Sequence, residues 1–373
     1  MNTKTCAEIN LDHLVFNFKA IRQKVSPAKL IPVVKADAYG HGAVAVSRCL
    51  AEQGVNLFAV AHFKEALELR ESGLTRPILI FGRLFPDEIP AAIAADFRMT
   101  LFDKEDLQWI EKAGADQPAK VHVNIDTGMG RVGVRHEKAP DFFDTLIRSK
   151  YCLWEGLYSH FATSDDRDKT FAGIQLDRFQ AVLSFLDQKG KRPGMIHMAN
   201  SGAVLDLPQS CFDAVRPGIL LYGHYPSIEA SPTVAVKQVM TFKSFVAHIR
   251  RLPAGHSVSY GRRWKAKQDT TIVVLPAGYA DGVRRDLTGG AEVLIRGRRY
   301  PVVGTVTMDM IMVDVGNDPV ALEDEAIIWG ESEQGTIEVL DLAAGINTIP
   351  YELVCGVSKR VERIYIKSDP LPP

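Results

Sequence analysis

The stretch Ile31-Pro32-Val33-Val34-Lys35 is the first of eight short apolar runs whose regular recurrence decides the fold. Each run has the length of a buried strand, and segments with helical periodicity, such as Phe63–Ser72 and Lys169–Gln188, lie between most of them. The other seven runs are Leu57–Ala61, Pro77–Gly82, Arg98–Phe102, Lys120–Asp126, Leu153–Phe161, Met195–Asn200 and Asp213–Arg216. Eight strands that alternate with helices predict a parallel (β/α)8 barrel of the TIM type.

After residue 232 the pattern changes to strands joined by turns. Extended segments such as Thr270–Leu275 and Tyr300–Val315 follow one another, and the next helical pattern comes only at Ile337–Ala344. We therefore predict an α/β fold with two domains. A barrel occupies residues 1–232, and a mostly-β domain occupies residues 233–373.

The charge balance argues against a polyanionic partner. The 373 residues include 44 Lys+Arg and 45 Asp+Glu, a net charge of −1, with no block of five like charges. No apolar run approaches the roughly 18 residues of a membrane span, and the first residues lack the apolar core of a secretory signal. The five cysteines and ten histidines form no metal-binding motif. We expect a cytoplasmic protein without a metal site and without nucleic-acid or membrane partners.

In a barrel of this type the reactive groups stand at the carboxyl ends of the strands. The 18 residues between the starts of the last two strands leave room only for a short helix beginning at Asn200-Ser201-Gly202. Backbone N–H groups at such a start, beside the Ser201 hydroxyl, favour the binding of an anion. Gly218 would let the backbone approach that anion closely. The other side chains that this rule selects are Lys35, Arg131, His160 and Arg216.

Each of these side chains also has a common structural explanation. A single lysine at a strand end is usually solvated, and a histidine on an apolar strand is usually a hydrogen-bonded core residue. An arginine after a strand is usually a surface ion-pair partner. Their convergence with a phosphate-type loop on one rim favours a functional site.

A second pattern points to a different chemistry. Gly128-Met129-Gly130-Arg131-Val132-Gly133 matches the G-x-G-x-x-G loop of dinucleotide-binding proteins, and Glu155 lies 22 residues beyond it, where a ribose-binding acid would stand. However, the match follows the fifth strand instead of the first, and a barrel has no open-sheet switch point. We therefore do not predict a dinucleotide site.

One segment carries a family resemblance. Val33-Val34-Lys35-Ala36-Asp37-Ala38-Tyr39-Gly40-His41-Gly42 closely resembles the segment that carries pyridoxal phosphate in bacterial alanine racemases. Further matching motifs follow in the same order along almost the whole chain. They are Asp126-Thr127-Gly128-Met129-Gly130-Arg131, Ser159-His160-Phe161-Ala162, Ala199-Asn200-Ser201, Val215-Arg216-Pro217-Gly218-Ile219, Val258-Ser259-Tyr260-Gly261, Gly278-Tyr279-Ala280-Asp281-Gly282, Met308-Asp309 and Pro350-Tyr351-Glu352.

The resemblance implies a role for each matching position around the cofactor. Lys35 would hold pyridoxal phosphate as a Schiff base, which requires an amine with a lowered pKa. Arg216 would hydrogen-bond the pyridine nitrogen, and because arginine keeps its proton, that nitrogen would stay unprotonated and transamination would be disfavoured. His160 would stand with Arg216 in a network behind the ring. The remaining cofactor-binding residues, most of them around the phosphate, would be Tyr39, Asn200, Ser201, Gly218, Ile219 and Tyr351.

The resemblance also implies two catalytic bases, one on each face of the substrate Cα. Lys35 would be the base on one face and Tyr260 the base on the other. In the family this tyrosine reaches the site from the partner subunit of a homodimer. A phenol with a pKa near roughly 10 is a poor base, so His160 and Arg216 would have to lower its pKa. The substrate carboxylate would be positioned by Arg131, the Met308 backbone and Asp309.

One position departs from the family pattern. Many members carry a carbamylated lysine two residues before the Asp-Thr-Gly-Met-Gly run, and its negative charge steadies the arginine that corresponds to Arg131. This chain has Asn124 there, which is neutral and cannot form a carbamate. Our hypothesis is that the Asn124 amide and a bound anion such as chloride hold Arg131.

The function that the resemblance implies is racemisation of L-alanine to D-alanine, which supplies D-alanine for peptidoglycan. Three alternatives stay open at this point. The substrate range could centre on serine or be broader, the enzyme could be a related pyridoxal-phosphate decarboxylase, or the chain could be a cofactor-carrying binding protein built on the same barrel. The domain that bears Tyr260 and the Met308-Asp309 segment argue against the last two.

Overall fold

The computed structural model describes residues 5–114, 116–333 and 335–368. Its strands up to residue 232 are β1 (Cys6–Asn10), β2 (Lys29–Leu30), β3 (Phe58–Val60), β4 (Ile78–Ile80), β5 (Arg98–Leu101), β6 (Ala119–Asp126), β7 (Val134–Arg135), β8 (Cys152–Tyr158), β9 (Met195–His197) and β10 (Ala214–Val215). The helices are α1 (Leu11–Val25), α2 (Lys35–Tyr39), α3 (Ala43–Glu52), α4 (Phe63–Glu71), α5 (Ile89–Ala94), α6 (Lys104–Ala113), α7 (Ala139–Leu146), α8 (Thr170–Gln188) and α9 (Ser201–Asp206). Each of the eight predicted apolar runs contains or adjoins one of these strands.

Eight of the strands form a parallel sheet that closes on itself. The order is β2-β10-β9-β8-β6-β5-β4-β3, with β7 paired to β6. A parallel bridge between Val33 and Ala59 joins the two ends of this order, and the backbone N–H of Val34 donates to the Ala59 carbonyl at 2.8 Å. The predicted (β/α)8 barrel is therefore confirmed, and the carboxyl ends of its strands meet at one rim.

The second half of the chain is mostly β, as the turn-rich pattern predicts. Its strands are β11 (Met240–Phe245), β12 (His248–Leu252), β13 (Ser257–Val258), β14 (Trp264–Lys265), β15 (Thr270–Leu275), β16 (Glu292–Ile295), β17 (Arg298–Val303), β18 (Ile311–Gly316), β19 (Glu325–Ser332), β20 (Gly335–Ile337) and β21 (Glu362–Ile366). Two short helices follow β20, namely α10 (Val339–Gly345) and α11 (Pro350–Cys355). Single 3-10 turns lie at His136–Lys138, Pro208–Ser210, Ile219–Tyr222, Tyr260–Arg262 and Arg285–Leu287.

The first strand belongs to the C-terminal sheet. The division at residue 232 places β1 in the barrel, whereas the structure pairs β1 antiparallel to β11 and parallel to β21. The order of this sheet is β12-β15-β18-β17-β16-β19-β11-β1-β21, with β20 beside β19. A five-residue strand buries its apolar side chains equally well in either sheet, so its own sequence does not indicate the partner.

The division at residue 232 itself stays a prediction, and the ends of both predicted domains, residues 1–4 and 369–373, lie outside the described residues. None of the helices in the described ranges combines the length and the apolar character that a membrane span requires.

Candidate active site

The chain leaves the first barrel strand through an unusual turn that begins at Lys35. The spacing places Lys35 at the end of this strand, whereas the structure puts it at the start of α2. The next four residues, Ala36 to Tyr39, all have φ between 52° and 55°, which is the left-handed helical conformation. Each non-glycine residue in this conformation costs roughly 1–2 kcal/mol. Such a run persists only where its surroundings hold it, and such sites are often functional.

Hydrogen bonds from neighbouring elements hold the left-handed turn. The Glu65 carboxylate on α4 accepts a hydrogen bond from the backbone N–H of Ala36 at 2.6 Å, and its other oxygen accepts from the N–H groups of Ala61 and His62. The Asp37 carboxylate accepts from the N–H of Ala43 at 2.7 Å. Glu65 is a positioning residue that sequence reasoning missed, because only the folded barrel brings α4 against this turn.

The Lys35 amine has the character of a reactive group. It is half-buried, and within the described ranges its Nζ forms no hydrogen bond or ion pair. Burial lowers the pKa of Lys35, the nearby Arg131 cation lowers it further, and the Glu65 carboxylate opposes both effects. A lowered pKa makes the neutral, nucleophilic amine accessible near neutral pH.

Ser201 and Gly218 meet at the same rim. The Ser201 hydroxyl oxygen accepts hydrogen bonds from the N–H groups of Gly218 at 3.0 Å and Leu220 at 3.3 Å. Asn200 caps α9, as the spacing predicts, since its Oδ1 accepts from the N–H of Ala203 at 3.0 Å. A side chain at Gly218 would overlap the Tyr39 hydroxyl. Glycine is therefore required where the backbone closes on Tyr39.

Two further residues predicted at this place lie beside Tyr39 or Gly218. Ile219 is fully buried and begins the 3-10 turn after Gly218. Tyr351, on α11 of the C-terminal half, packs against Tyr39 with the ring centroids 5.9 Å apart and the rings tilted by 44°. Burial raises the pKa of both tyrosines, so both hydroxyls stay protonated and can donate hydrogen bonds.

Arg216 is buried at the centre of the barrel. Its Nη1 donates to Nδ1 of His197 at 2.7 Å, and its Nη2 donates to the Ser159 carbonyl at 2.6 Å and to Nδ1 of His160 at 3.3 Å. Its guanidinium lies 5.0 Å above the Tyr158 ring. Among the described residues Nε of Arg216 alone of its three nitrogens has no hydrogen-bond partner. This N–H is free to donate to a ligand at the rim.

Burial decides the charge of this cluster. The pKa of His160 lies well below its ordinary value because of burial first and then the cations Arg216, Arg131 and Lys35. The Arg216, Arg131 and Lys35 side chains therefore all lie within electrostatic reach of His160. Burial lowers the pKa of Arg216 to about 10, so it stays charged at neutral pH. The sequence analysis expects both His160 and Arg216 to provide positive charge. In the structure Arg216 is charged, whereas His160 is neutral.

The predicted substrate and base residues of the C-terminal half lie on neighbouring loops. The Thr305 hydroxyl donates to the Tyr260 carbonyl at 2.8 Å, and Thr305 precedes the loop that contains Met308. Tyr260 is 73% exposed. Across the described ranges, no hydrogen bond or ring contact joins its side chain to the cluster around Lys35. Asp309 is paired with Arg360 at 2.8 Å, a contact that the sequence does not indicate.

Two backbone N–H groups of the glycine-rich loop donate to an aspartate at the start of the same loop. Asp126 Oδ1 accepts hydrogen bonds from the N–H groups of Gly128 at 2.9 Å and Gly130 at 3.0 Å. Glu155 lies toward the other end of the barrel and pairs with Arg98 at 3.0 Å.

Family models match both halves of the chain. The model described as "Alanine racemase, N-terminal domain" matches residues 9–226, and the one described as "Alanine racemase, C-terminal domain" matches residues 239–365. The chain belongs to the alanine racemase family. It is therefore an isomerase.

Individual alanine racemases are similar over nearly their full length. "Alanine racemase 2" of Caldanaerobacter subterraneus is 42% identical, with 97% of this chain and 95% of that protein covered. "Alanine racemase 1" of Clostridium acetobutylicum is 40% identical, with 97% and 95% covered. The structure of the Clostridium difficile alanine racemase has a TM-score of 0.93 at 36% identity and 100% and 98% coverage. The structure of the Bacillus anthracis alanine racemase with bound L-Ala-P has a TM-score of 0.91 at 35% identity, with 98% of this chain and 96% of that chain covered.

The position that departs from many alanine racemases is buried in the barrel. Asn124 lies within hydrogen-bonding reach of the Tyr158 hydroxyl, whereas Arg131 is exposed. No hydrogen bond joins Asn124 to Arg131 in the part of the chain that the structure describes. The amide contact in our hypothesis is thus not formed, because the short Asn124 side chain stays against Tyr158. The bound anion stays a prediction.

Proposed function

We propose that the protein interconverts L-alanine and D-alanine with pyridoxal phosphate as its cofactor, and that it supplies D-alanine for peptidoglycan. The observation that carries the proposal is that the Lys35 amine, which has no hydrogen-bond or ion-pair partner among the described residues, lies close to His160 and its partner Arg216. Family membership supports the same reaction. A cytoplasmic location stays a prediction from the sequence.

The residues at the rim fit this cofactor. Lys35 would hold it covalently, and the Ser201 and Tyr39 hydroxyls would donate hydrogen bonds to its phosphate, with Gly218, Ile219, Asn200 and Tyr351 around them. The missing Cβ at Gly218 leaves the space that the Tyr39 hydroxyl needs. When bound, pyridoxal phosphate withdraws electrons from the amino acid and acidifies its Cα–H.

Arg216 would set the strength of that electron withdrawal. Its Nε–H, which has no partner among the described residues, would donate to the ring nitrogen of the cofactor. Its other two nitrogens already donate to His197 and Ser159. Because Arg216 keeps its own proton, it would hydrogen-bond this nitrogen without protonating it. Moderate electron withdrawal favours return of the proton to Cα over transamination.

Two bases would exchange the Cα proton, one on each face. Lys35 has the lowered pKa that a neutral amine base requires. Tyr260 is exposed and makes no side-chain contact with the described cluster of its own chain, so we propose that it serves the site of the partner subunit in a homodimer. Arg216 would be the cation that makes the Tyr260 phenol basic enough there.

The substrate carboxylate would lie between the two subunits. Arg131 lies in the loop after β6 and is exposed. The backbone N–H of Met308 has no hydrogen-bond partner among the described residues and would donate to the carboxylate. Asp309 would stand close by, and its pairing with Arg360 neutralises a charge that would otherwise repel the substrate.

Hydrogen exchange at Cα tests the proposal directly. Incubated with L-alanine in deuterated water, the holoenzyme should introduce deuterium at Cα while the optical rotation falls to zero. Borohydride reduction should fix the cofactor mass on the peptide that contains Lys35. Lys35→Ala should abolish both results.

A panel of amino acids in the same assay separates the alternatives. Faster exchange with serine than with alanine would move the substrate assignment to serine, and comparable rates with many amino acids would indicate a broad racemase. Release of carbon dioxide without racemisation would contradict the proposal and indicate a decarboxylase.

A further inference from the structure

A cavity opens at the end of the barrel opposite Lys35. Its volume is about 750 Å³, and it is lined by residues at the starts of the strands, among them Leu30, Leu57 and Met195. Phe18 and Trp154 add aromatic surface. Because the reactive residues of this fold stand at the carboxyl ends of the strands, this cavity is separate from the proposed active site.

A buried histidine presents a hydrogen-bond donor to this cavity. Arg216 can only donate, so Nδ1 of His197 accepts its hydrogen bond at 2.7 Å. Nε2 of His197 therefore carries the ring proton and donates to Nδ1 of His122 at 2.9 Å. Burial lowers the pKa of His122 to about 3, so the ring is neutral and its single proton is on Nε2.

The Nε2–H of His122 has no partner within the described ranges. His122 is only 2% exposed, yet it lines the cavity. Since its Nδ1 edge faces His197 and the active-site end, its Nε2 edge faces the opposite end. An acceptor bound in the cavity would satisfy this donor.

Arg98 supplies a second donor beside His122. Its side chain is 10% exposed; its Nε donates to Glu155 at 3.0 Å and its Nη1 to Asp96 at 2.9 Å. Its Nη2 has no partner in the part of the chain that the structure describes. The Arg98 charge contributes to the low pKa of His122, so the two groups lie close together.

The charges at the cavity mouth have the sign that suits an anion. Arg22 and Lys29 line the cavity and are exposed. Neither forms an ion pair with any described residue. Glu155, the acid on the lining, is already paired with Arg98. Two cations that form no ion pair with a described residue therefore lie at the mouth, and the Arg22 guanidinium also lies over the Phe18 ring. Two donors without an acceptor among the described residues lie at the floor, and the walls between are largely apolar.

We propose that this cavity is a second ligand site, which binds a small carboxylate with an apolar or aromatic body. The carboxylate oxygens accept hydrogen bonds from Nε2–H of His122 and Nη2–H of Arg98. The body of the ligand packs against Phe18, Trp154 and Met195.

Calorimetric titration of the holoenzyme tests the site, with phenylacetate as the probe and phenylacetamide as its uncharged match. Saturating alanine is present throughout, so that the rim around Lys35 is occupied. We expect phenylacetate to bind at least tenfold more tightly than phenylacetamide. His122→Phe, which keeps the ring but removes the donor, should weaken phenylacetate binding at least tenfold.

A second variant fills the cavity without touching the histidines. Gly194 lines the cavity, and a Cβ there would meet only the Glu155 carbonyl, at 3.7 Å. Gly194→Trp should also weaken binding at least tenfold. Gly345→Trp, at an exposed glycine whose Cβ would meet nothing within 4 Å, should leave binding unchanged.

Several outcomes would overturn the proposal. They are the absence of phenylacetate binding in the presence of saturating alanine, equal affinity for the acid and the amide, and unchanged affinity in Gly194→Trp. If His122→Phe does not fold, the Gly194→Trp result decides. Each readout is the heat of binding, so it does not depend on turnover.

Discussion

Gly218 shows how a single hydrogen atom in place of a side chain shapes the barrel rim near Tyr39. Its N–H donates to the Ser201 hydroxyl, and a Cβ at this position would overlap the Tyr39 hydroxyl. We predict that Gly218→Ala lowers the affinity for pyridoxal phosphate at least about tenfold, which is about 1.4 kcal/mol. An absorbance titration of the cofactor-free protein measures this.

The control for this substitution is Gly345→Ala, where a Cβ has no neighbour within 4 Å. It should leave the affinity unchanged. An unaltered affinity in Gly218→Ala would show that the phosphate does not depend on this contact.

At the same scale, the partners of Arg216 explain why a charged side chain is buried there. The guanidinium donates to His197, His160 and backbone carbonyls, and these bonds compensate for the loss of water. The sequence indicates Arg216 and His160 as strand-end residues, but His197 and Tyr158 look like ordinary members of apolar strands. Their role depends on contacts across the barrel interior, which strand spacing does not reveal.

At the scale of elements, the left-handed turn α2 depends on helix α4. Glu65 ties the turn to α4 through the Ala36 N–H. We predict that Glu65→Ala lowers the free energy of unfolding by roughly 1–3 kcal/mol, because the N–H groups of Ala36, Ala61 and His62 lose their acceptor. It should also slow the borohydride-trappable loading of cofactor on Lys35. Urea denaturation and loading kinetics are the two measurements.

Two variants on the same helix act as controls. Glu68→Ala removes an exposed carboxylate from α4 and should change neither measurement. Glu65→Gln keeps one acceptor oxygen and should fall between the wild type and Glu65→Ala. If Glu65→Ala had the same unfolding free energy and the same loading rate as Glu68→Ala, the conformation of the turn would not depend on α4.

At the scale of the whole molecule, the proposed function requires two chains. We predict that Lys35→Ala and Tyr260→Phe are each at least about 100-fold less active than the wild type. Mixing equal amounts should restore up to roughly a quarter of the wild-type activity, because half of the dimers would be mixed and each would have one of its two sites intact. A racemisation assay after subunit exchange measures this.

Tyr151→Phe serves as the control in that experiment, since Tyr151 precedes β8 at the opposite end of the barrel. It should be fully active alone. Continued inactivity of the mixture, despite demonstrated exchange of subunits, would place both bases on one chain.

The buried histidines make the stability of the whole molecule depend on pH. Burial lowers the pKa of His41 to about 4 and that of His224 to about 3, against about 6.5 in the unfolded chain. The unfolded state therefore binds more protons below about pH 6.5, so stability is lost as the pH falls from there toward the folded-state values. From pH 7 to 5.5 we predict a loss of about 1 kcal/mol for each such histidine.

His224→Gln isolates one contribution to this pH dependence. In urea denaturation at pH 7 and pH 5.5, the variant should lose about 1 kcal/mol less than the wild type. His248→Gln changes an exposed histidine and should follow the wild type. An identical pH dependence in all three proteins would show that His224 is not buried in its neutral form.

The sequence by itself determined the barrel and the rim on which Lys35, Ser201 and Arg216 stand. The period of apolar runs is a local property, and the closure of parallel strands then places all their carboxyl ends together. The tertiary structure alone decided that β1 joins the other sheet, that Glu65 holds the Lys35 turn and that His160 is neutral. Each of these depends on desolvation or on hydrogen bonds between segments far apart in the chain, and a linear pattern contains neither.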